Sequence, residues 1–175
     1  MSTALSLWRA WCACVLLCTA AAFTHAAEPF SKHNVVLLQS SALLEARVGS
    51  VDAMAEYIRA VEAAATQAVG AGASRRPAAG FIVIAVRPGP RANVWLDFDA
   101  PPPSLETSRA LVANIAAVKP FEVRDGPVVF ALKVGLWDAF ESKRLAPSPA
   151  EWRAATRKAG RQLEIDALIE QVWRD

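Results

Sequence analysis

The sequence predicts an α+β domain in which a short antiparallel β-sheet packs against flanking helices. Two runs of high β propensity, residues 81–86 and 93–98, stand on either side of a reversal rich in proline and glycine, which is typical of a β-hairpin. Residues 128–137 alternate between two faces, as a third strand would. Apolar positions at three- and four-residue steps over residues 50–69 indicate a helix.

The first helix is predicted from Ser50 to Val69. Ser50 is a suitable N-cap, and Asp52 falls in the first turn, where negative charge suits the helix dipole. Gly70 and Gly72 end the helix. One apolar stripe is expected to face the core, and it comprises Val51, Met54, Ile58, Val61, Ala65 and Ala68.

The returning strand of the hairpin has two different faces. One carries Val94, Leu96 and Phe98, and the other carries Trp95, Asp97 and Asp99. Prolines 101–103 then break the strand, because proline cannot donate to a β-ladder.

A second helix and a third strand follow the hairpin. Ser104 is a suitable cap for the helix, and Lys119-Pro120 stops it. The strand runs from Val128 to Trp137 and is expected to be half-buried, with Trp137 on the face opposite Leu136.

The C-terminal part, residues 138–175, is predicted to be a polar connector followed by one helix. Ser148, Pro149 and Glu151 have the spacing of a capping box with proline at the first helical position. The helix is predicted to run to Trp173 with a weak point at Gly160. Its first half is basic and its second half acidic, an order that opposes the dipole of a single helix.

Residues 1–26 have the three parts of a cleavable export signal. Arg9 provides the positive charge, Ala10–Phe23 form an apolar run, and small residues precede a predicted cut before Ala27. A run of about 14 residues is shorter than the roughly 20 needed to span a bilayer, which argues against an anchor. Cys18 follows Leu17 rather than a small residue, which argues against a lipoprotein. We therefore expect a periplasmic or secreted protein with no transmembrane segment after cleavage.

Cleavage would remove all three cysteines, Cys12, Cys14 and Cys18. This excludes disulfides, thiol catalysis and a thiolate metal site. The chain has two histidines, and only His33 lies clearly beyond the cut, so one chain has too few imidazoles for a multi-histidine zinc site. With 19 basic and 17 acidic residues, interspersed in sign, there is no electrostatic reason to expect a nucleic-acid or anionic-lipid partner. No metal or cofactor is expected.

The predicted organisation has four parts. After the signal come a partly flexible N-terminal segment (27–49), an α+β core (50–137) and the connector with the C-terminal helix (138–175). Within the N-terminal segment, residues 28–34 are expected to be a loose polar terminus. The short apolar run Val35–Leu38 is compatible with either a buried strand or the start of a helix.

Residues 80–137, which read strand, turn, strand, helix, strand and include the phrase Val118–Phe130, resemble the C-terminal domain of TonB-type proteins. The resemblance implies a hairpin, a helix and a final strand packed as a small α+β layer. The chain departs from TonB-type transducers in its removable N-terminus and in lacking a long proline-rich linker. With these departures, the resemblance implies a stand-alone periplasmic binding or adaptor domain rather than an energy transducer.

Four residues are candidates for binding: Trp95, Asp97, Asp99 and Trp137. Carboxylates beside an aromatic ring suit sugar binding or acid–base chemistry, and an alternative is that Asp97 and Asp99 decorate a solvent face. His33 is a candidate general base, in the expected loose terminus. The edge strands of the sheet are a further candidate, through strand addition.

These observations leave three classes of function open. The leading hypothesis is a non-enzymatic binding or adaptor protein with a periplasmic or envelope partner. The alternatives are a small exported hydrolase that uses Asp97 and Asp99, and a self-associating envelope component.

Overall fold

The computed structural model describes residues 27–173, so the predicted export signal lies outside the described residues. The strands are β1 (Phe30–Leu37), β2 (Ala78–Arg87), β3 (Arg91–Phe98) and β4 (Val128–Leu136). The helices are α1 (Ser41–Arg47), α2 (Val51–Ala71), α3 (Leu105–Ala116), α4 (Ala150–Ala159) and α5 (Ile165–Val172). The predicted α+β class is confirmed.

The four strands form one antiparallel sheet in the order β1-β4-β2-β3. The expectation of three strands was therefore incomplete, because β1 adds along β4. The loose terminus expected at residues 28–34 is wrong from Phe30 onward, and the Val35–Leu38 run continues the same strand as far as Leu37. Polar residues at 31–34 lack an apolar alternation because this part of β1 is largely exposed and contains a bulge between Lys32 and Asn34.

Helices cover both faces of the sheet. Side chains of β2 alternate between two apolar clusters, with Ile82 and Ile84 in the first and Phe81 and Val83 in the second. Helices α2 and α3 complete the first cluster, and α4 and α5 complete the second. Strand β4 lies between two strands and between both clusters, so the half-buried strand predicted here is in fact buried on both faces.

The first two predicted helices and their N-caps are confirmed, although α2 continues through Gly70 to Ala71 and α3 ends at Ala116, before Lys119. Val51, expected on the core-facing stripe, is 77% exposed at the first position of α2. Ser50 Oγ accepts a hydrogen bond from Ala53 N at 3.2 Å, and Ser104 Oγ accepts one from Thr107 N at 3.1 Å. These bonds satisfy amide groups that have no partner within the helix.

The single C-terminal helix predicted from Pro149 to Trp173 is wrong, because the segment forms two helices. Gly160 ends α4 in the left-handed conformation with φ 66°, which glycine adopts without a Cβ penalty. The break also removes the conflict with the helix dipole. Glu151 now lies in the first turn of α4, and Arg157 in its last turn. The capping box does not form, since Pro149 is the N-cap and no side chain caps the helix.

A polar tie centred on Arg47 joins α1, α5 and the start of β4. The buried Arg47 guanidinium donates to Asp166 Oδ1 at 2.9 Å, to Asp166 Oδ2 at 2.5 Å and to the Pro127 carbonyl at 2.8 Å. The hydrogen bonds from Arg47 lower the pKa of Asp166, and those to Asp166 raise the pKa of Arg47. Gln39 donates to the same carboxylate at 3.0 Å, so the ion pair has a supporting amide.

Candidate functional site

The two aspartates singled out in the sequence meet one arginine, Arg144, from the connector between β4 and α4. Arg144 Nη1 lies 2.6 Å from Asp97 Oδ2, and its Nε lies 2.7 Å from Asp99 Oδ1. Arg144 Nη2 also donates to the Asp97 carbonyl at 2.5 Å. We call Asp97, Asp99 and Arg144 the Arg144 clasp, because the three side chains hold the connector against the sheet.

Further contacts fix the clasp in place. The backbone N–H of Ser148 donates to Asp97 Oδ2 at 2.6 Å, just before α4 begins. The guanidinium carbon of Arg144 lies 5.2 Å from the centroid of the Phe81 ring, and Phe81 is the partner of Asp97 across β2 and β3. Burial opposes the charge on Arg144, but its hydrogen bonds to the aspartates prevail and raise its pKa.

Asp97 therefore lies in a buried ion pair rather than on a solvent face. The solvent-face interpretation is wrong for Asp97, because α4, α5 and the connector cover this side of the sheet. Both carboxylates do share one face of the strand, as the alternation predicted. Their oxygens accept hydrogen bonds from Arg144, an arrangement typical of a structural ion pair.

Trp95 is also buried, and it meets Trp152 of α4 with ring centroids 5.8 Å apart in an edge-to-face arrangement. Such aromatic pairs add about 0.5–1.5 kcal/mol beyond their buried area. Trp95 thus anchors α4 to the sheet, while its backbone belongs to the edge strand β3.

Trp137 belongs to the other apolar cluster from Trp95, and its predicted face is wrong. The residue has a positive φ of 52°, so the chain turns as β4 ends. Its side chain packs in the first apolar cluster, on the same side as Leu136, and it is 8% exposed. The Arg75 guanidinium carbon lies 5.4 Å from its ring centroid. Trp137 is therefore a core residue with a cation beside it.

His33 lies in β1 and not in a loose terminus. It stands at the bulge, beside Gly135, where a Cβ on the glycine would come within 2.8 Å of the imidazole Nε2. Over residues 27–173, no group of three or more His, Cys, Asp and Glu side chains could hold a metal ion.

The two edges of the sheet differ in how open they are. On β1, the bulge and the exposed Lys32 interrupt the edge, and the outward N–H of Val35 donates to Asn34 Oδ1 at 2.8 Å. Charges and bulges of this kind protect an edge from pairing with another strand. Strand β3 pairs with β2 in an unbroken register from Phe98 to Arg91.

The hydrogen-bond phase shows which groups of β3 face outward. Asp99 N donates to Ala79 O at 2.8 Å, which makes residues 79 and 99 a hydrogen-bonded pair. Because such pairs alternate along antiparallel strands, Trp95 and Asp97 direct their backbone groups toward β2. The backbone groups of Val94, Leu96 and Phe98 face outward, where no strand of the described sheet pairs with them.

A shallow groove of about 390 Å³ runs along this edge, between α3 and α4. Its apolar part includes Val94, Leu96 and Val112, and Arg109 of α3 and Glu151 of α4 contribute one charge of each sign. Trp95 also lines the groove. The open edge and the adjoining groove together form the candidate functional site, which we call the β3 edge site.

The sequence identified some residues of this site and missed others. Trp95 was a candidate on its own, and edge strands were a candidate in general. Nothing in the sequence indicated that α3 and α4 would flank β3, because six residues lie between β3 and the start of α3 and 51 lie between β3 and the start of α4. Arg144 was missed because it lies in a connector with no periodic pattern.

Comparison with family models, with curated proteins and with solved structures finds no match for this chain. Between residues 27 and 173, no helix has the length and apolarity required to cross a membrane.

Proposed function

We propose that this chain is a non-enzymatic binding or adaptor protein, exported to the periplasm or the cell exterior, with a TonB C-terminal-like fold. It takes up an extended segment of a partner protein along β3. The observation that carries this proposal is the open backbone edge of Val94, Leu96 and Phe98 beside an apolar groove.

Strand addition explains how such an edge works. An extended peptide forms main-chain hydrogen bonds to the outward N–H and C=O groups, and pockets for its alternate side chains provide specificity. Here alternate side chains of the guest face the groove beside Val94 and Val112.

The export part of the proposal rests on the N-terminal sequence. Residues 1–26 combine one positive charge, an apolar run and small residues before Ala27, which is the pattern of a cleavable signal. All three cysteines lie in that segment. Detection of the protein in the periplasm or the medium, with Ala27 as its first residue, tests this part directly.

The Arg144 clasp gives no support to the hydrolase alternative. A general acid or base needs a carboxyl group that can reach substrate and change its protonation state. The oxygen of Asp97 that faces Arg144 already accepts two hydrogen bonds, from Arg144 and from Ser148. We therefore favour binding over hydrolysis.

The binding proposal is tested with proline variants of the exported protein. Val94→Pro removes an outward donor of β3, and proline is tolerated on edge strands. Val35→Pro is the matched control, because its N–H also faces outward but on the protected β1 edge. In cross-linking from envelope extract, the wild type and Val35→Pro should retain the same partner, and Val94→Pro should lose it.

Backbone hydrogen exchange then locates the contact. A synthetic peptide from the cross-linked segment is added to the labelled protein. The amides of Leu96 and Phe98 should exchange more slowly in the complex, whereas those of Trp95 and Asp97 are already bonded to β2 and should change little. A partner that binds while the outward amides keep their free exchange rates would contradict strand addition.

A further inference from the structure

A second, larger groove lies where the end of β1 and α1 meet α4 and α5. Its volume is about 890 Å³, within the range of small-molecule sites. Six apolar residues line its floor: Leu38, Leu43, Trp152, Leu163, Ile165 and Leu168. The two grooves share no lining residue, although α4 borders both, so this groove is separate from the β3 edge site.

Two arginines of α4 stand side by side on the rim of this groove. Arg153 and Arg157 are four residues apart, so they project from the same side of the helix. Arg153 is half exposed; its Nη1 donates to the Ser148 carbonyl and lies 3.9 Å from Asp97 Oδ1. The Arg157 guanidinium makes no ion pair within the described part of the chain. One carboxylate, Glu164, also lines the groove, so positive charge is in excess.

We propose that this groove binds a single-chain anionic amphiphile, a molecule with one alkyl chain and a carboxylate or phosphate headgroup. The headgroup lies between Arg153 and Arg157, since planar guanidinium groups match the oxygens of carboxylates and phosphates. The alkyl chain lies on the apolar floor, where Leu43 and Leu163 are half-buried and offer apolar surface. Charge complementarity selects an anionic headgroup over a neutral or cationic one of the same chain length.

Isothermal titration calorimetry of the exported protein tests the charge requirement. Three probes share a twelve-carbon chain: dodecanoate, dodecanol and dodecyltrimethylammonium, each kept below its micelle-forming concentration. We expect dodecanoate to bind at least tenfold more tightly than dodecanol, and the cation to bind weakest. Equal affinity for dodecanoate and dodecanol, or no binding of dodecanoate, would overturn the proposal.

Charge-matched variants locate the site. Arg153→Gln with Arg157→Gln should weaken dodecanoate binding about tenfold. Lys158→Gln with Arg161→Gln removes the same charge from the same segment at residues outside the groove, and should leave binding unchanged. Equal losses in both double variants would mean that binding follows net charge rather than this groove, and would refute the site.

Two further measurements keep the test decisive. If the Arg153→Gln, Arg157→Gln double variant loses its native circular dichroism spectrum, the single variant Arg157→Gln is used instead. The Arg157 side chain makes no hydrogen bond or ion pair within residues 27–173, so its replacement should leave the fold intact. Leu43→Glu places a carboxylate on the floor and should abolish dodecanoate binding. A twelve-carbon lysophosphatidylglycerol tests the source of the amphiphile: tighter binding than dodecanoate indicates a membrane lipid, and weaker binding a free fatty acid.

Discussion

The Arg144 clasp leads to a quantitative prediction about folding stability. Hydrogen bonds to charged groups contribute about 1.5–3 kcal/mol, and exposure to water reduces the contribution. The Asp97 side chain is 9% exposed and that of Arg144 is 35% exposed, so we expect a coupling energy of about 2 kcal/mol for this pair. Asp99 and Arg144 are each 35% exposed, and their coupling should be about 0.5–1 kcal/mol.

Double-mutant cycles measure both couplings. The variants are Asp97→Asn, Asp99→Asn, Arg144→Gln and the two doubles, each unfolded with urea at pH 7. Trp95 and Trp152 lie beside the clasp and report unfolding through their fluorescence. Glu141→Gln is a control from the same connector. It breaks the ion pair between Glu141 and Lys133, but the Glu141 carboxylate is half exposed, so the urea midpoint of unfolding should not change. A coupling for Asp99 that equals or exceeds that for Asp97 would refute the argument that burial gives the clasp its strength.

Three further predictions concern stability. The pKa of Asp166 is lowered in the folded protein, so its stabilising effect is present above the ordinary carboxyl pKa and is lost as the pH falls through the lowered value. The Asp166 side chain is 41% exposed, so water screens the pair, and Asp166→Asn should cost about 1 kcal/mol at pH 7. Denaturant titrations should show this cost shrinking as the pH is lowered below the ordinary carboxyl pKa. Burial raises the pKa of Tyr57 to about 12, and its hydroxyl has no partner among the described residues. The free energy of unfolding of the wild type should therefore fall by about 1.4 kcal/mol per pH unit between pH 10 and 12. Tyr57→Phe should not show that fall, and it should be at least as stable as the wild type at pH 7. Equal pH dependence of the two proteins would contradict this. A Cβ at Gly80 would lie 2.5 Å from Phe98 Cα and 2.6 Å from the Asp97 carbonyl oxygen, so Gly80→Ala should destabilise the fold by about 3 kcal/mol. Gly70 has open space around it, so Gly70→Ala should not destabilise the fold. Thermal unfolding of the two variants tests both expectations.

Much of the fold followed from local patterns. The caps at Ser50 and Ser104 act on amides three residues away, and the alternation of β3 depends only on the geometry of one strand. Even the break at Gly160 appeared as a weak point, although the sequence favoured one helix over two. The opposed charge order in that segment was a sign of the break, since each of the two shorter helices has an acidic residue in its first turn.

The candidate sites were harder to predict, because their parts are distant in the chain. Asp97 and Arg144 are 47 residues apart, and no pattern around Arg144 indicated its position. The strand alternation placed Trp137 on the face opposite Leu136, but the positive φ of Trp137 directs its side chain into the same apolar cluster as Leu136. The groove beside Arg153 needs α1, α4 and α5 together, and no single segment shows it.

The sequence by itself determined the α+β class, the hairpin, the first two long helices and the paired orientation of Asp97 and Asp99. These features depend on propensity, periodicity and capping, which act within about four residues or along one strand. Only the tertiary structure decided that residues 30–37 form an edge strand, since Ser31 meets Gly135 from 104 residues away. It also decided that Asp97 is buried in an ion pair with Arg144 and that β3 stays open. Those outcomes depend on how helices stack on a sheet, and packing of that kind joins residues whose distance along the chain carries no pattern.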